Sequence, residues 1–391
     1  MVGMVGMVGL LFALMGMALT TEPNLRQSNS LYANLAHEDL MDVLDRVEPA
    51  QTPVWTMARR EMELGNTEFA WEVDSWPNAN GALGPGDGYA IQTTEVRDVT
   101  TNRRKMGNYG QAFRRPFGAG WIANQVPNLP GRGRGKLLAD GAADAMVLLK
   151  QDFEVAACSF DQTATPDVGG ASGSLMAGIV KLIDPANAYT APSGFAYGKP
   201  TDIHSAPASA CLTGTMAANF NLAALRQAVQ ALRTAVKIRK DYAFLCGLDL
   251  RAQVTGLVDP QTSSATGGAL AATQVRMFKQ EIADSELGIS IDVIRTDYGR
   301  LLVMDTDHIG NTTTNSGGTA QNDANRSSRV YVNKASYGLI LSREKLIKRI
   351  GVPFQTGTLA DDGGGTTQYT RLYAAVGVMN PVGFGFMKFS S

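Results

Sequence analysis

The sequence is poor in the residues that build metal sites and catalytic centres. Its 391 residues include only three cysteines and three histidines. The cysteines (Cys158, Cys211 and Cys246) are far apart in the chain, lie in apolar surroundings and form no CxxC or Cys/His spacing. This pattern argues against a disulfide framework and against a zinc site. It predicts small buried hydrophobic side chains in a reducing compartment.

The chain also lacks an excess of charge of either sign. Its 35 lysines and arginines nearly balance 36 aspartates and glutamates, which gives a formal net charge of −1. A protein that binds nucleic acid over its whole surface is usually basic, so this class is disfavoured. A hydrophobic fraction of 44% and a charged fraction of 18% are typical of a folded chain. The length favours two packed units.

Long apolar runs are confined to the first 19 residues, which carry no charged side chain and begin with Met-Val-Gly three times over. As a helix this segment would span roughly 28 Å, close to a bilayer core. A signal peptide would have a basic start, and glycine at every third position weakens a helix. Three interpretations stay open: a working chain that begins at Met17, an apolar arm, and a membrane or export segment.

No set of residues predicts catalysis. Asp305, Asp307 and His308 in "MDTDHIG" could hold a metal ion, but the remaining ligands of a calcium loop are missing and a turn is expected after a hairpin strand. The segment "GRGRGK" (131–136) lacks the spacing of a phosphate-binding loop. The chain has no GxSxG motif and no Ser/His/Asp set. We therefore expect a protein that is not an enzyme and that uses no cofactor.

A two-faced strand is the most informative local feature. In "GNTEFAWEVDSW" (65–76), alternation places aromatic residues on one face and acidic residues on the other. A turn-rich segment follows, and residues 94–118 look like returning extended structure, so we predict a hairpin-like arm over about 66–115. Nothing nearby in sequence covers the apolar face. We expect this face to lie on a neighbouring subunit, although Trp71 fits equally well against the chain's own helix 136–160.

Charge is sorted along the predicted arm. Acidic residues outnumber basic ones thirteen to four from 37 to 98, whereas every charged residue from 101 to 136 is basic. Two compatible explanations are cross-strand ion pairing within the hairpin and charge complementarity between neighbouring subunits.

Helical periodicity predicts two helices in the first part of the chain. One covers 37–49 and would be ended by Pro49 and Pro53, and the other covers 136–160. A second unit then begins with a helix over 221–240, capped by Asn221. The remaining predicted elements are strands over 242–248, 289–295 and 300–304, a helix in "LRAQVTGL" that Asp249 can cap, a helix over 274–285, a loop over 310–327, and strands in "RVYVN", "YGLILS" and "LYAAVGVMN".

This order of elements resembles that of the tailed-phage major capsid proteins with the Hong Kong 97 fold. Several short sequence segments are also similar to those of one phage head-protein family. The matching segments are "DLMDVLDRVEPAQTPVW" (39–55), "FAWEVDSW" (69–76), "TDYGRLLVM" (296–304) and "GVPFQTGTLADDGGGTTQYTRLYAAVGVMNP" (351–381). The resemblance covers about residues 30–387, and residues 1–19 have no place in it.

The resemblance implies an α+β fold with an N-terminal arm, an extended β-hairpin loop, a long spine helix, a discontinuous peripheral domain and a central α/β axial domain. The implied segments are an apolar N-terminal segment (1–19), an N-terminal arm (20–60), an extended loop (61–120), a peripheral domain with spine helix 136–160 (121–215), an axial domain (216–328) and a return to the peripheral domain (329–391).

The implied function is assembly into an icosahedral shell that encloses double-stranded DNA, in a virion assembled in the host cytoplasm. The expected partners are further copies of the chain, as pentamers and hexamers, with a scaffolding protein, a portal, a decoration protein and DNA held without sequence-specific contact, and no membrane. An encapsulin-like cargo shell of the same fold, or a metal-dependent enzyme using Asp305, Asp307 and His308, are the alternatives. The candidate subunit-interface residues are Glu68, Phe69, Trp71, Glu72, Asp74, Trp76, Arg103, Arg104, Lys105, Arg114 and Arg115.

Overall fold

The structure, a computed structural model, describes residues 51–61, 63–73, 104–120, 136–166, 173–189, 199–200, 205–256, 293–314, 329–359 and 365–390. The chain divides into two compact units, residues 1–47 with 122–137 and residues 48–121 with 138–391. Of the first unit only Lys136 and Leu137 are described.

The helices are α1 (Pro53–Met57), α2 (Lys136–Ala157), α3 (Ile179–Ile183), α4 (Met216–Asn219), α5 (Leu222–Val236) and α6 (Leu248–Gly256). The strands are β1 (Arg59–Arg60), β2 (Glu68–Val73), β3 (Arg104–Tyr109), β4 (Gln111–Gly120), β5 (Ala188–Tyr189), β6 (Lys199–Pro200), β7 (Cys211–Thr215), β8 (Lys240–Cys246), β9 (Val293–Thr296), β10 (Gly299–Asp305), β11 (Gly310–Thr314), β12 (Arg329–Asn333), β13 (Tyr337–Leu341), β14 (Leu346–Thr358), β15 (Gly365–Val378) and β16 (Gly385–Ser390).

A four-stranded sheet, the long sheet, has the order β1-β14-β15-β4. Its two long strands, β14 and β15, are antiparallel, and β4 pairs antiparallel with β15 from Gln111 to Gly120. Alternate residues of β15 point to opposite faces of the sheet. Leu372 therefore faces the main core on one side, while Tyr373 and Ala375 face a smaller apolar cluster on the other.

The long helix α2 packs on the core face of this sheet through one stripe of side chains. Ala145, Leu149 and Phe153 are buried at the three- and four-residue spacing predicted from sequence. The predicted helix is confirmed over 136–157 and ends three residues early. The Cys158 N–H makes the last helical bond, to the Glu154 carbonyl at 2.8 Å, and the Phe160 N–H donates instead to the Gly310 carbonyl at 2.9 Å.

A six-stranded mixed sheet has the order β7-β16-β13-β8-β10-β9. Both faces of the central strand β8 are buried. Tyr242 and Phe244 pack with α5, while Ala243 and Leu245 belong to the main core. The predicted α5 is confirmed, and so is its cap, since the Asn221 Oδ1 accepts the Ala224 N–H at 2.7 Å. The predicted hairpin is confirmed as β9 and β10. Strands β13 and β16 lie in the six-stranded sheet, where β13 pairs with β8, and β13 shares the main core with the long helix.

Several expectations need correction. Residues 310–314, expected in a loop, form β11 and pair with β12. Pro53, expected to stop a helix, begins α1, where a proline loses no hydrogen bond because the first helical N–H has no partner within the helix. The domain boundaries as a whole stay a prediction.

Residues 1–50 and the predicted helix over 274–285 lie outside the described residues. None of the three cysteines forms a disulfide bond with another described residue. Cys158 and Cys246 are buried as predicted, whereas Cys211, also predicted to be buried, is half-buried because it lies on β7 at the edge of its sheet. Within the described parts of the chain, no helix combines the length and the apolar composition that a membrane crossing needs.

Candidate functional site

The root of the predicted arm is a two-stranded hairpin of β2 and β3, named here the arm-root hairpin. The strands pair antiparallel in a register that places Glu68 opposite Tyr109 and Val73 opposite Arg104. The predicted pairing is therefore confirmed for these residues. The turn-rich tip, with Asp74, Trp76 and Arg103, lies outside the described residues.

The apolar face of β2 is covered within the chain itself. Phe69 and Trp71 are 4% and 7% exposed, and their rings stack with centroids 5.0 Å apart. They pack with Ile347 of β14 and Ala375 of β15. The expectation that a neighbouring subunit must cover this face is therefore wrong, and so is the alternative that Trp71 packs on the long helix.

This cover could not be expected from the local sequence, because the strands that provide it, β14 and β15, come roughly 300 residues later in the chain. A close approach makes the packing possible: a Cβ added at Gly377 would lie 3.0 Å from Phe69 Cζ and 3.0 Å from Ile347 Cγ1. The two aromatic residues are core residues of the single chain and are not retained as interface anchors.

A buried amide fastens the arm-root hairpin to the body of the protein. Asn108 is fully buried, and its Nδ2 donates to the carbonyl oxygens of Val376 at 2.8 Å and Ala177 at 3.3 Å. Its Oδ1 accepts the backbone N–H of Ala177 at 2.8 Å and that of Tyr109 at 2.9 Å. One side chain thus joins β3, β15 and the segment before α3.

The hairpin gives way to the long sheet at Gly110. A Cβ there would lie 2.4 Å from Tyr373 Cζ and 2.7 Å from Leu64 Cδ2, so only glycine fits between them. Residues 111–120 then leave the hairpin and pair with β15. The hairpin predicted to extend to about residue 115 therefore ends at Tyr109, and Arg114 and Arg115 belong to the long sheet.

The other face of β2 is acidic, as the alternation predicts. Glu72 is exposed, Glu68 is half-buried, and neither forms an ion pair with another described residue. Lys105 stands directly opposite Glu72 in the register. The hairpin thus presents carboxylates on the face that points away from the long sheet.

The two adjacent arginines of β4 point to opposite faces of the long sheet. Arg115 forms a bidentate ion pair with Asp152 of α2, at 2.7 Å from Nε and 2.5 Å from Nη2. This hydrogen-bonded partner raises the pKa of Arg115. Arg115, expected at a subunit interface, is therefore engaged within the chain. Arg114 lies on the opposite face, with its guanidinium carbon 5.9 Å from the centre of the Tyr369 ring.

A second set of buried hydrogen bonds anchors the segment that precedes the arm-root hairpin. Glu154 of α2 is fully buried and accepts the backbone N–H groups of Val54 at 2.7 Å and Trp55 at 2.8 Å. Burial raises the pKa of Glu154 to about 7, although the two N–H groups and the charge of Lys348 oppose the shift. The Lys348 ammonium donates to the Trp55 carbonyl and lies 4.4 Å from the centre of its ring.

The candidate metal residues do not form a site. Asp305 and Asp307 are exposed at the end of β10, and His308 is half-buried with a pKa that burial lowers. Among the residues that the structure describes, no three His, Cys, Asp or Glu side chains come close enough together to hold a metal ion.

Three residues of the site were not predicted from the sequence: Asn108, Glu154 and Arg371, the cross-strand neighbour of Arg114. Glu154 carried one usable signal, because it lies next to Phe153 on the apolar stripe of a predicted helix. Asn108 and Arg371 carried none, since their partners are distant in sequence.

A family model described as SU10 major capsid protein matches residues 20–388. Among solved structures, the chain is similar to the capsid of the cyanophage P-SCSP1u, with 10% identity, coverage of 93% of this chain and 96% of that chain, and a TM-score of 0.50. It is also similar to the capsid of a native GTA particle, with 12% identity, coverage of 93% and 100%, and a TM-score of 0.50. No curated protein sequence matches it. At these identities the structural likeness shows the fold alone.

Proposed function

The chain belongs to the SU10 major capsid protein family, and on this premise we propose that it is the repeating subunit of an icosahedral phage shell that encloses double-stranded DNA. The family match over residues 20–388 is the single observation that carries the proposal. The mixed helix and sheet architecture, which matches phage capsids, supports it. The role is structural rather than catalytic.

Within the proposed Hong Kong 97-type arrangement, α2 is the spine helix, and the long sheet with α2 forms the peripheral domain. The six-stranded sheet with α5 and α6 forms the axial domain. The arm-root hairpin is the base of the extended loop. Two fastenings support this assignment, since Asn108 and Glu154 fix the base of the loop to the body of its own subunit.

The attachment of the arm-root hairpin to the body of its own subunit has a functional consequence. Packing of Phe69 and Trp71 within the chain stabilises the hairpin before assembly, so a free subunit does not expose this apolar face. Contacts between subunits then fall to polar and charged groups on the outer faces and to the arm beyond Val73. Charged contacts of this kind select partners and register more than they add affinity.

The proposed partners are further copies of this chain in pentamers and hexamers, a scaffolding protein, a portal and a decoration protein, within a virion assembled in the host cytoplasm. The packaged DNA would be held without sequence-specific contact, consistent with the net charge of −1. An encapsulin-like cargo shell is the second candidate of the same fold, and the family match favours the phage shell over it.

Deletion of residues 77–93, the predicted arm tip, tests the proposal. We expect the shortened chain to fold with an unchanged melting temperature but to lose shell formation, because the arm is the proposed contact between subunits. Deletion of 317–326 is the matched control, since it shortens a Gly- and Asn-rich connection between β11 and β12. Shells of normal yield and shape from the 77–93 deletion would refute the proposed role of the arm.

A further inference from the structure

The long sheet carries two arginines directly opposite each other on one face. Arg371 of β15 pairs in register with Arg114 of β4, and Gln355 of β14 lies on the other side of Arg371. Arg114, Arg371 and Gln355 are all exposed. Like charges at directly opposed positions destabilise an antiparallel pair, so the fold alone gives no reason to place them together. Arg114 and Arg371 are named here the basic pair.

The basic pair has no acidic partner within the described part of the chain. Arg371 donates from Nε and Nη2 to the Gln355 Oε1, at 3.3 and 3.0 Å, and Arg114 lies over the Tyr369 ring. The adjacent Arg115, on the opposite face, has the bidentate Asp152. Asp152 therefore neutralises the arginine that faces α2, whereas no carboxylate among the described residues neutralises Arg114 and Arg371 on the other face.

Among the described residues, the basic pair begins where the cover of this face by the arm-root hairpin ends. Tyr373, two residues from Arg371 on the same face, packs with the cluster under the arm-root hairpin, and its hydroxyl lies 3.5 Å from the Thr67 carbonyl oxygen. The next row outward is Arg371 with Arg114, which is exposed. The chain's own arm-root hairpin thus covers one part of this face. A second molecule laid along the same face would cover the exposed part beside it.

We propose that the basic pair binds the carboxylate of Glu72 on a second copy of this chain. Directly opposed residues in such a pair have Cβ atoms about 5 Å apart, so two guanidinium groups can hold one carboxylate between them. Glu72 is the exposed acid of the hairpin's outer face, forms no ion pair with another described residue, and lies near the end of the described hairpin. The inference rests on the proposed shell function.

Charge reversal with rescue tests the pairing in the full chain. We expect R114E/R371E and E72R each to lower the yield of shells by about tenfold or more, because opposite charges become like charges at the contact. The triple variant R114E/R371E/E72R restores opposite charges and is expected to assemble within about threefold of wild type. R343E and E63R, which reverse exposed charges outside the proposed contact, serve as controls and are expected to assemble normally.

A neutral variant separates folding from assembly. R114Q removes one of two opposed like charges, so the melting temperature of the unassembled subunit is expected not to fall, while the shell yield falls. A purely structural role for Arg114 predicts the reverse: a lower melting temperature with unchanged assembly of the folded fraction.

Each outcome decides the inference. Normal assembly of R114E/R371E, or failure of the triple variant to recover while both reversals block assembly, would overturn the pairing and leave the shell function intact. Shells of normal yield that retain less nucleic acid would assign the basic pair to DNA instead and also overturn it. If wild-type chains form no shell under any condition, both the proposed function and the inference fail.

Discussion

Glu154 accepts a 2.7 Å hydrogen bond from the backbone N–H of Val54, 100 residues earlier in the chain. The bond joins the last turn of the long helix to the short helix that precedes the arm-root hairpin. Because the carboxylate also accepts the Trp55 N–H at 2.8 Å, one buried acid holds two N–H groups that have no partner within their own short helix. The attachment of the arm thus depends on an ionisable group.

Stability should depend on pH through Glu154. Its pKa is about 7 in the folded chain and about 4.5 when unperturbed, so the folded state binds more protons than the unfolded state between these values. The free energy of unfolding therefore falls as pH rises from about 4.5 through 7, by about 3 kcal/mol from this group. Because E154Q cannot titrate, its stability relative to wild type should increase over that range, as measured by denaturant unfolding at pH 5 and pH 8.

The control for this prediction is E344Q. Glu344 is exposed, and its hydrogen bond from Lys240 lowers its pKa, so its contribution is lost as pH falls and has the opposite sign. Parallel pH profiles for wild type and E154Q would show that Glu154 does not titrate in this range.

Loss of the Asn108 amide should loosen the arm. In N108A, the carbonyl oxygens of Val376 and Ala177 and the Ala177 N–H lose a buried partner, which should cost about 2–4 kcal/mol. Hydrogen exchange should rise first in β2 and β3. N66A, which removes an exposed bond to the Thr67 N–H, is the control and should cost less than about 1 kcal/mol. Equal losses for both variants would argue against a fastening role for Asn108.

The Arg115–Asp152 pair should couple the long sheet to the long helix modestly. Its side chains are 45% and 28% exposed, so a double-mutant cycle with R115A and D152A should give about 0.5–1.5 kcal/mol, decreasing with added salt. The comparison is Arg226–Asp297, a more exposed single contact of 3.2 Å, with an expected coupling under about 0.5 kcal/mol. A coupling near zero at Arg115 would mean that this ion pair contributes nothing to the sheet–helix contact.

Gly110 should tolerate no side chain. In G110A the new methyl group would lie 2.4 Å from Tyr373, whose ring is also confined by Gly351, so we expect a loss of about 2 kcal/mol or more. G65A is the matched control, because nothing lies within 4 Å of a Cβ at that position, and it should change stability by less than about 0.5 kcal/mol. Thermal unfolding of the two variants beside wild type measures the difference, and a stable G110A would contradict the packing described here.

Local patterns predicted the elements whose evidence lies within a few residues. The buried stripe of α2, the Asn221 cap and the β9–β10 hairpin follow from periodicity, capping and turn chemistry, which act over short distances. The faces of β2 were predicted correctly for the same reason. The order of elements also sufficed for the resemblance to phage major capsid proteins, which the family match confirms.

Long-range pairing could not be predicted. The cover of Phe69 and Trp71 comes from Ile347 and Ala375, and no local pattern indicates such a partner. The burial of Glu154 was missed because an acid on a helix is usually solvated, and here two backbone N–H groups make burial possible. Arg371 became informative only once the register placed it opposite Arg114.

Electron microscopy of the purified full chain at rising concentration, with light scattering alongside, is the decisive test of shell formation by this protein. We predict uniform round shells, or rings of five and six subunits, above a threshold concentration. A chain that stays a monomer or a small dimer under all conditions, with the arm intact, would contradict it.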